Sequence, residues 1–186
     1  MDLVIWARRE ARLQLAESLP LRWAHVRGVG RRALVASHLF DQSESEVLVG
    51  AALLHDIGYS SRLAKTRFHP LDGARYLKGA GIMDRLVNLV ARHSCSVKEA
   101  GLRGLTREVA EFPDESSPLR DALWWADMTT TPHGALTTVE QRIAEIEARY
   151  GPDDLVTRAI QLAAPELVGA VERTEHRLRD AGVDYA

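Results

Sequence analysis

Cysteine is almost missing from this chain: Cys95 is the only one in 186 residues. A single thiol can close no internal disulfide and furnish no thiolate-rich zinc site, and it points to a reducing, cytoplasmic setting. Long apolar runs are missing too. The longest, Val47 to Leu54, counts eight residues including Gly50, far short of the ~18 that a membrane span needs. The opening stretch MDLVIWARREARLQLAESLP has no basic region ahead of an apolar one, so no secretory signal is read there. Charge of one sign is scarce as well: 24 basic against 26 acidic residues leave a net charge of −2. That balance offers no general field to nucleic acid or to an anionic membrane, so neither is expected as a partner, and any phosphate recognition must be local. No Gly-x-Ser-x-Gly elbow occurs and Cys95 lies in an irregular polar stretch, which leaves serine and cysteine nucleophiles without footing.

Strand-like alternation is nearly as rare, and helical periodicity takes its place. Helices are predicted near residues 3–18, 22–39, 44–56, 70–79, 82–93, 118–129, 135–149, 153–163 and 165–181. Pro20, Pro70, Pro118, Pro152 and Pro165 fall close to predicted helix starts, where a missing N–H costs nothing. With 46% apolar and 27% charged residues the composition is that of a globular protein, and the length suits one domain. The reading is an all-α, compact, single-domain helical bundle over residues 1–186, with its core in about 20–150 and the C-terminal helices of 151–186 packed on it. Ser94 to Ser117 is the least regular part, a loop long enough to be functional or mobile. Leu136, Val139, Ile143, Ile146 and Tyr150 form an apolar stripe that covers the core or serves a homodimer, with Glu140, Arg142, Glu145, Glu147 and Arg149 mostly on the other side. The apolar residues Val4, Ile5, Ala11, Leu13 and Leu15 of the first helix pack on the bundle or face a partner.

Six residues carry the chemistry: His25, His55 with Asp56, His69, His93 and Asp127. His55 and Asp56 end VLVGAALL, a segment apolar on every side, and Gly58 follows as a helix terminator. Asp56 there places negative charge at the negative end of a helix dipole in apolar surroundings, two costs that a bound cation would remove. His93 follows Ile82, Leu86 and Leu89 or Val90 at helical spacing, and Asp127 closes ALWWAD; both face inward. A carboxylate in that position pairs with an arginine or ligates a metal. His69 precedes Pro70, in extended backbone at a helix start. His25 lies in WAHVRGVG, whose Gly28 and Gly30 permit close approach of another backbone or a ligand. Four histidines and two aspartates suit a hard or borderline divalent metal with N/O ligands. His38, His133 and His176 are read as solvated, and Thr129 to Thr131 as helix-capping or substrate-bonding residues.

In the order His25, then His55-Asp56-Ile57-Gly58, then Asp127, the sequence resembles the HD-domain superfamily of metal-dependent phosphohydrolases over about residues 20–150. The resemblance implies a helical bundle in which His25, His55, Asp56 and Asp127 converge on one metal. FHPLDGARYL and VARHS are similar to the segments that give dinuclear members two further ligands, here His69 and His93, with Asp56 bridging. It further implies one or two divalent ions per chain, iron or manganese first, with magnesium, cobalt, nickel and zinc also admitted. The implied reaction is hydrolysis of a phosphoester or phosphoanhydride of a small molecule, a nucleotide above all, by a metal-activated hydroxide. Asp56, His69 and His93 are the implied catalytic residues; with one metal, His69 and His93 would instead donate to phosphate or carry protons. Lys65 and Arg67, between the HD pair and His69, are candidate phosphate-binding cations or solvated loop charge. Arg22, three residues before His25, anchors phosphate or pairs with Asp56 or Asp127. A few superfamily members with the same six ligands are di-iron oxygenases, and a non-catalytic nucleotide-sensing domain is the third alternative.

Overall fold

A computed structural model describes residues 2–185. Several of its helices start where the sequence provides caps. Asp2 accepts a hydrogen bond from the Ile5 amide at 3.0 Å at the start of α1 (Leu3–Leu15), and Asp41 accepts one from Glu44 at 2.9 Å ahead of α3 (Gln42–Leu54). These carboxylates satisfy amides that have no partner within the helix. Pro20, Pro70 and Pro118 occupy the first turns of α2 (Pro20–Ala36), α4 (His69–Gly79) and α8 (Pro118–Met128). The chain also forms α5 (Asp84–Arg92), α6 (Ser96–Leu102), α7 (Thr106–Val109), α9 (Val139–Tyr150) and α10 (Leu155–Asp180). No strand forms among the described residues; an isolated bridge pairs Thr130 with Leu136. The fold is all-α, as the periodicity predicts, and no described helix is long and apolar enough to cross a membrane.

Helix α3 runs through the centre. Val47 to Leu54 are all buried, because α1, α2, α5 and α8 each pack against this helix. Fully burying Leu48 or Leu54 contributes about 1.5–3 kcal/mol each. The consequence for function is positional: the end of α3, where His55 and Asp56 stand, is held from several directions. Helix α10 lies against α6, α8 and α9. Asp121 of α8 fastens it, accepting bonds of 2.8 and 2.9 Å from Arg173 and one of 3.3 Å from Arg177.

Three elements differ from the sequence reading. Residues 94–117 are not one loop but contain α6 and α7, short helices that bury Ser96, Ala100 and Val109. The helices expected at 153–163 and 165–181 are a single α10 with Pro165 inside it. Proline there denies the Gln161 carbonyl its amide partner and costs about 3 kcal/mol, which burial of Ala159, Ala163, Leu167 and Ala170 on both sides of it offsets. Helix α9 begins at Val139, where a Thr138–Gln141 capping box starts it, rather than at 135. On α1, Ala7, Ala11 and Leu15 are buried while Ile5 and Leu13 are exposed. Charge is also less evenly spread than its sum suggests, since Arg8, Arg9, Arg12, Arg27 and Arg31 line one groove between α1 and α2.

Candidate metal centre

The site forms where the ends of α3, α5 and α8 and the start of α4 meet the middle of α2. Close backbone contacts make this meeting possible. A Cβ on Gly58 would stand 2.0 Å from the His69 carbonyl oxygen, so only glycine lets α4 begin against the turn after α3. Gly58 follows the end of α3 at Leu54, and its φ is not positive. Gly28 serves α2 similarly, since a Cβ there would lie 2.6 Å from the Cα of Gly134. Asp72 shapes the loop before His69 by accepting bonds from the amides of Lys65 at 2.9 Å and Thr66 at 3.0 Å.

The six candidate ligands come together. Asp56 turns its two carboxylate oxygens to different histidines. Oδ2 lies 3.4 Å from His55 Nε2 and 3.8 Å from His25 Nε2, while Oδ1 lies 3.2 Å from His69 Nε2 and 3.9 Å from His93 Nε2. Asp127 Oδ1 approaches the first pair, 2.9 Å from His25 Nε2 and 3.8 Å from His55 Nε2. Two donors bonded to one ion at ~2.1 Å lie roughly 3.0–3.4 Å apart at octahedral or tetrahedral angles; the contacts of 2.9, 3.2 and 3.4 Å are close to that spacing, and those of 3.8 and 3.9 Å would have to shorten by about 0.5 Å to reach it. His25, His55 and Asp56 form one mutually close group, and Asp56, His69 and His93 another.

The outer bonds of the rings make the same point. His25 Nδ1 meets the Thr131 carbonyl at 3.0 Å, His55 Nδ1 the Ala52 carbonyl at 2.8 Å, and His93 Nδ1 the Val90 carbonyl at 2.6 Å. A carbonyl only accepts, so each Nδ1 carries a proton and each Nε2 is turned inward, able to ligate a metal once any proton of its own has left, the arrangement that orients metal-ligating histidines. A bare Nε2 facing a carboxylate is repulsive without a proton or a cation between them. His69 and His93 Nε2 are 3.1 Å apart, and the buried His55 Nε2 has no hydrogen-bond partner among the described residues. The donor set fits divalent metal binding.

Charge in the cluster is perturbed accordingly. Burial would raise Asp56, but the Arg22 guanidinium and His55 hold its carboxyl well below the usual range. Asp127 is likewise lowered against its burial, by the hydrogen bond from His25 and by His55. Burial would lower His55, yet Asp56 and Asp127 bring it up to about 9. Burial together with His55 and His69 pushes His93 down to about 3, which keeps its lone pair free. The proton on His55 occupies a position that a cation takes on binding.

The arginine expectations resolve unequally. Arg22 Nη1 donates to Asp56 Oδ2 at 2.8 Å, and its guanidinium lies 4.1 Å over the Tyr59 ring, which stacks on His69 at 3.9 Å. Lys65 and Arg67 are exposed and do not line the cavity beside the donors. Their loop is turned by Asp72, and Arg67 adopts φ 61°, so the structure does not bring them to the site. Arg142 and Arg149 line that cavity instead. Arg142 is buried rather than on the outer side of α9; its spacing from Val139 and Ile146, three and four residues, is the signal that would have found it. Ser94 was also missed. Its hydroxyl donates to Asp127 Oδ2 from a left-handed backbone, φ 46°, and no spacing rule announces such a residue. Cys95 is buried against Glu166 with its thiol pushed up to about 12, which suits the inert role expected of it. His38, His133 and His176 are exposed. Thr129 and Thr130 hydroxyls return to the carbonyls of Trp125 and Ala126, capping α8 as expected.

The family model described as HD domain matches residues 22–131. No curated protein and no solved structure matches the chain. The matched span holds all six donors together with Arg22, Tyr59 and Ser94, while α1, α9 and α10 lie outside it. With the model covering more than half of the sequence and the His/His-Asp/Asp donors gathered in one buried cluster, the chain belongs to the HD-domain family.

Proposed function

We infer that the protein is a metal-dependent phosphohydrolase acting on a small phosphorylated molecule, with two cations held by the six donors. The observation that carries the reading is the division of Asp56, whose two oxygens face separate histidine pairs. His25, His55 and Asp127 would hold one cation, His69 and His93 the other, and Asp56 both. Divalent ions bound there supply a water acidic enough to attack near neutral pH and neutralise charge on the phosphoryl oxygens.

The remaining steps belong to side chains. Arg22 spends one N–H on Asp56 and has further donors in its planar fork for a phosphoryl oxygen. Arg142 and Arg149 approach the same cavity from α9. Ser94 holds Asp127 Oδ2, so Oδ1 is left to face the histidines. Ile146, Val156, Ile160 and Ala163 form an apolar wall of the cavity, which limits water and strengthens the charge interactions inside.

The test is anaerobic purification with elemental analysis, followed by phosphate release from nucleotides, dinucleoside polyphosphates and simple phosphomonoesters. Release that needs the metal and not oxygen supports hydrolysis. Oxygen uptake without phosphate release moves the reading to a di-iron oxygenase, and nucleotide binding without turnover to a sensing domain. Full activity in metal-free protein overturns the metal-based reading altogether.

A further inference from the structure

The cavity beside the donors measures about 100 Å³, smaller than the ~150 Å³ that encloses a benzene molecule. A phosphoryl group fits there, and a second compartment adjoins it. A second pocket of about 290 Å³ shares Arg22 and Arg149 with the first and has His25, one of the metal donors, in its wall. Small-molecule sites begin at roughly 300 Å³. The remaining wall is Leu19, Pro20, Leu21 and Pro132, with Ser18. Carbon dominates it, and one serine hydroxyl is the only neutral polar side chain, which is poor equipment for reading the hydroxyls of a sugar.

This wall is fixed with respect to the centre. Leu19 bonds its amide to the Leu15 carbonyl at 2.8 Å, and Pro20 opens α2 five residues before His25. Pro132 follows Thr131, whose carbonyl orients the His25 ring. Arg22 and Arg149 stand at the junction of the two compartments, where the bridging oxygen of a phosphate ester would lie.

We propose that this second pocket is the leaving-group subsite, and that the substrate is a phosphomonoester of an apolar alcohol. The inference rests on the phosphohydrolase reading. In the reaction the bond from phosphorus to the alcohol oxygen breaks, one from phosphorus to a water oxygen forms, and a proton of that water ends on the alcohol. The alcohol is released from the Leu19–Leu21 side and inorganic phosphate from the metal side. Nucleotides, the substrates that the family resemblance implies, would place a polar ribose against carbon.

Two esters of like charge and like leaving-group reactivity separate the cases: 3-methylbutyl phosphate and glycerol phosphate, with a nucleoside monophosphate alongside. Metal-loaded protein is expected to favour the alkyl ester by about tenfold or more in kcat/KM, chiefly through KM, the scale of added methylenes in an apolar pocket. Leu21 is 48% exposed, so Leu21→Asp is compatible with folding; it should raise KM for the alkyl ester and narrow the preference to within about twofold. Equal kcat/KM for the esters, or a preference that Leu21→Asp leaves unchanged, overturns the subsite. Calorimetry with the matching phosphonates, which cannot be hydrolysed, separates this from failure of the enzymatic reading. If no ester turns over, about tenfold tighter binding of 3-methylbutyl phosphonate than of its hydroxylated counterpart still supports the pocket. Equal binding refutes it.

Discussion

Gly58→Ala tests how the second histidine pair is placed. The new Cβ would stand 2.0 Å from the His69 carbonyl oxygen and 2.7 Å from the Gly73 amide nitrogen. Ordinary contact begins at 3.4 Å, so the first turn of α4 must retreat by roughly 1.4 Å or the turn after α3 must tilt. Both obstacles are backbone and cannot rotate away. Overpacking of this kind costs about 1–3 kcal/mol, occasionally more, and 3 kcal/mol lowers Tm by roughly 6–12 °C in a chain of this size. Metal–ligand distances tolerate only about ±0.2 Å, so a retreat of that size removes His69 from Asp56. The expected outcome is a folded protein of lower Tm that keeps the cation of His25, His55 and Asp127 and loses the other, read by calorimetry and metal titration. Gly79→Ala is the control, because nothing lies within 4 Å of its Cβ position; in the last turn of α4 it should be neutral or stabilising by up to about 1 kcal/mol. If Gly58→Ala melts with the wild type and binds as much metal, the steric account of this glycine is wrong.

Asp56→Ala should abolish binding of both cations and activity together, since one carboxylate serves both histidine pairs; metal retained at wild-type stoichiometry would refute the bridge. Asp121→Asn should destabilise at pH 7 by about 2 kcal/mol, the scale of a charge-assisted bond lost. Burial would raise the Asp121 carboxyl, but donation and charge from Arg173, Arg120 and Arg177 lower it. Its stabilisation is thus present above the unfolded value of about 3.9 and lost as pH falls through the lower folded value, so urea melts of the two proteins should converge in acid. A gap that widens below pH 4 would contradict the sign. Cys95, buried with its thiol pushed up to about 12, should react with an aromatic disulfide reagent only as fast as the protein opens, and rapid labelling in the native state would count against its burial.

What could be read from sequence was governed by period and polarity. An apolar run ending in His55-Asp56 announced a buried helix with an uncompensated charge at its end, and that inference needed no tertiary knowledge. His55, Asp56, His93 and Asp127 were legible as polar residues at inward helix positions, while His25 and His69 were singled out by their local segments and by the family resemblance. Pairing within the cluster was not, since Arg22 had three possible partners and distance alone chose Asp56. For Lys65 and Arg67 the choice between phosphate contact and solvated loop charge was not legible, because sequence proximity to His69 says nothing about the turn that Asp72 imposes on their loop. Arg142 was read as an outer residue because charge was allowed to outweigh its position in the stripe. A net charge of −2 likewise concealed the five arginines of the α1–α2 groove, because a sum carries no placement.

The boundary of the family match divides the molecule by task. Within residues 22–131 lie the donors and the contacts that aim them: the carbonyls of Ala52, Val90 and Thr131, the Ser94 hydroxyl, and the close approach at Gly58. Such geometry tolerates only tenths of an ångström, so the helices that carry it must be rigid, and α3 is buried along the eight residues that lead into His55. Outside the match lie α9 and α10, which contribute Arg142, Arg149 and the apolar wall, and the α1–α2 corner begins there with Leu19 to Leu21. These residues line the compartments beside the donors and are not themselves donors, so they can change while the six donors stay in place. Substitution there is expected to alter which small phosphorylated molecule enters and at what KM, whereas loss of a donor should remove metal and turnover together.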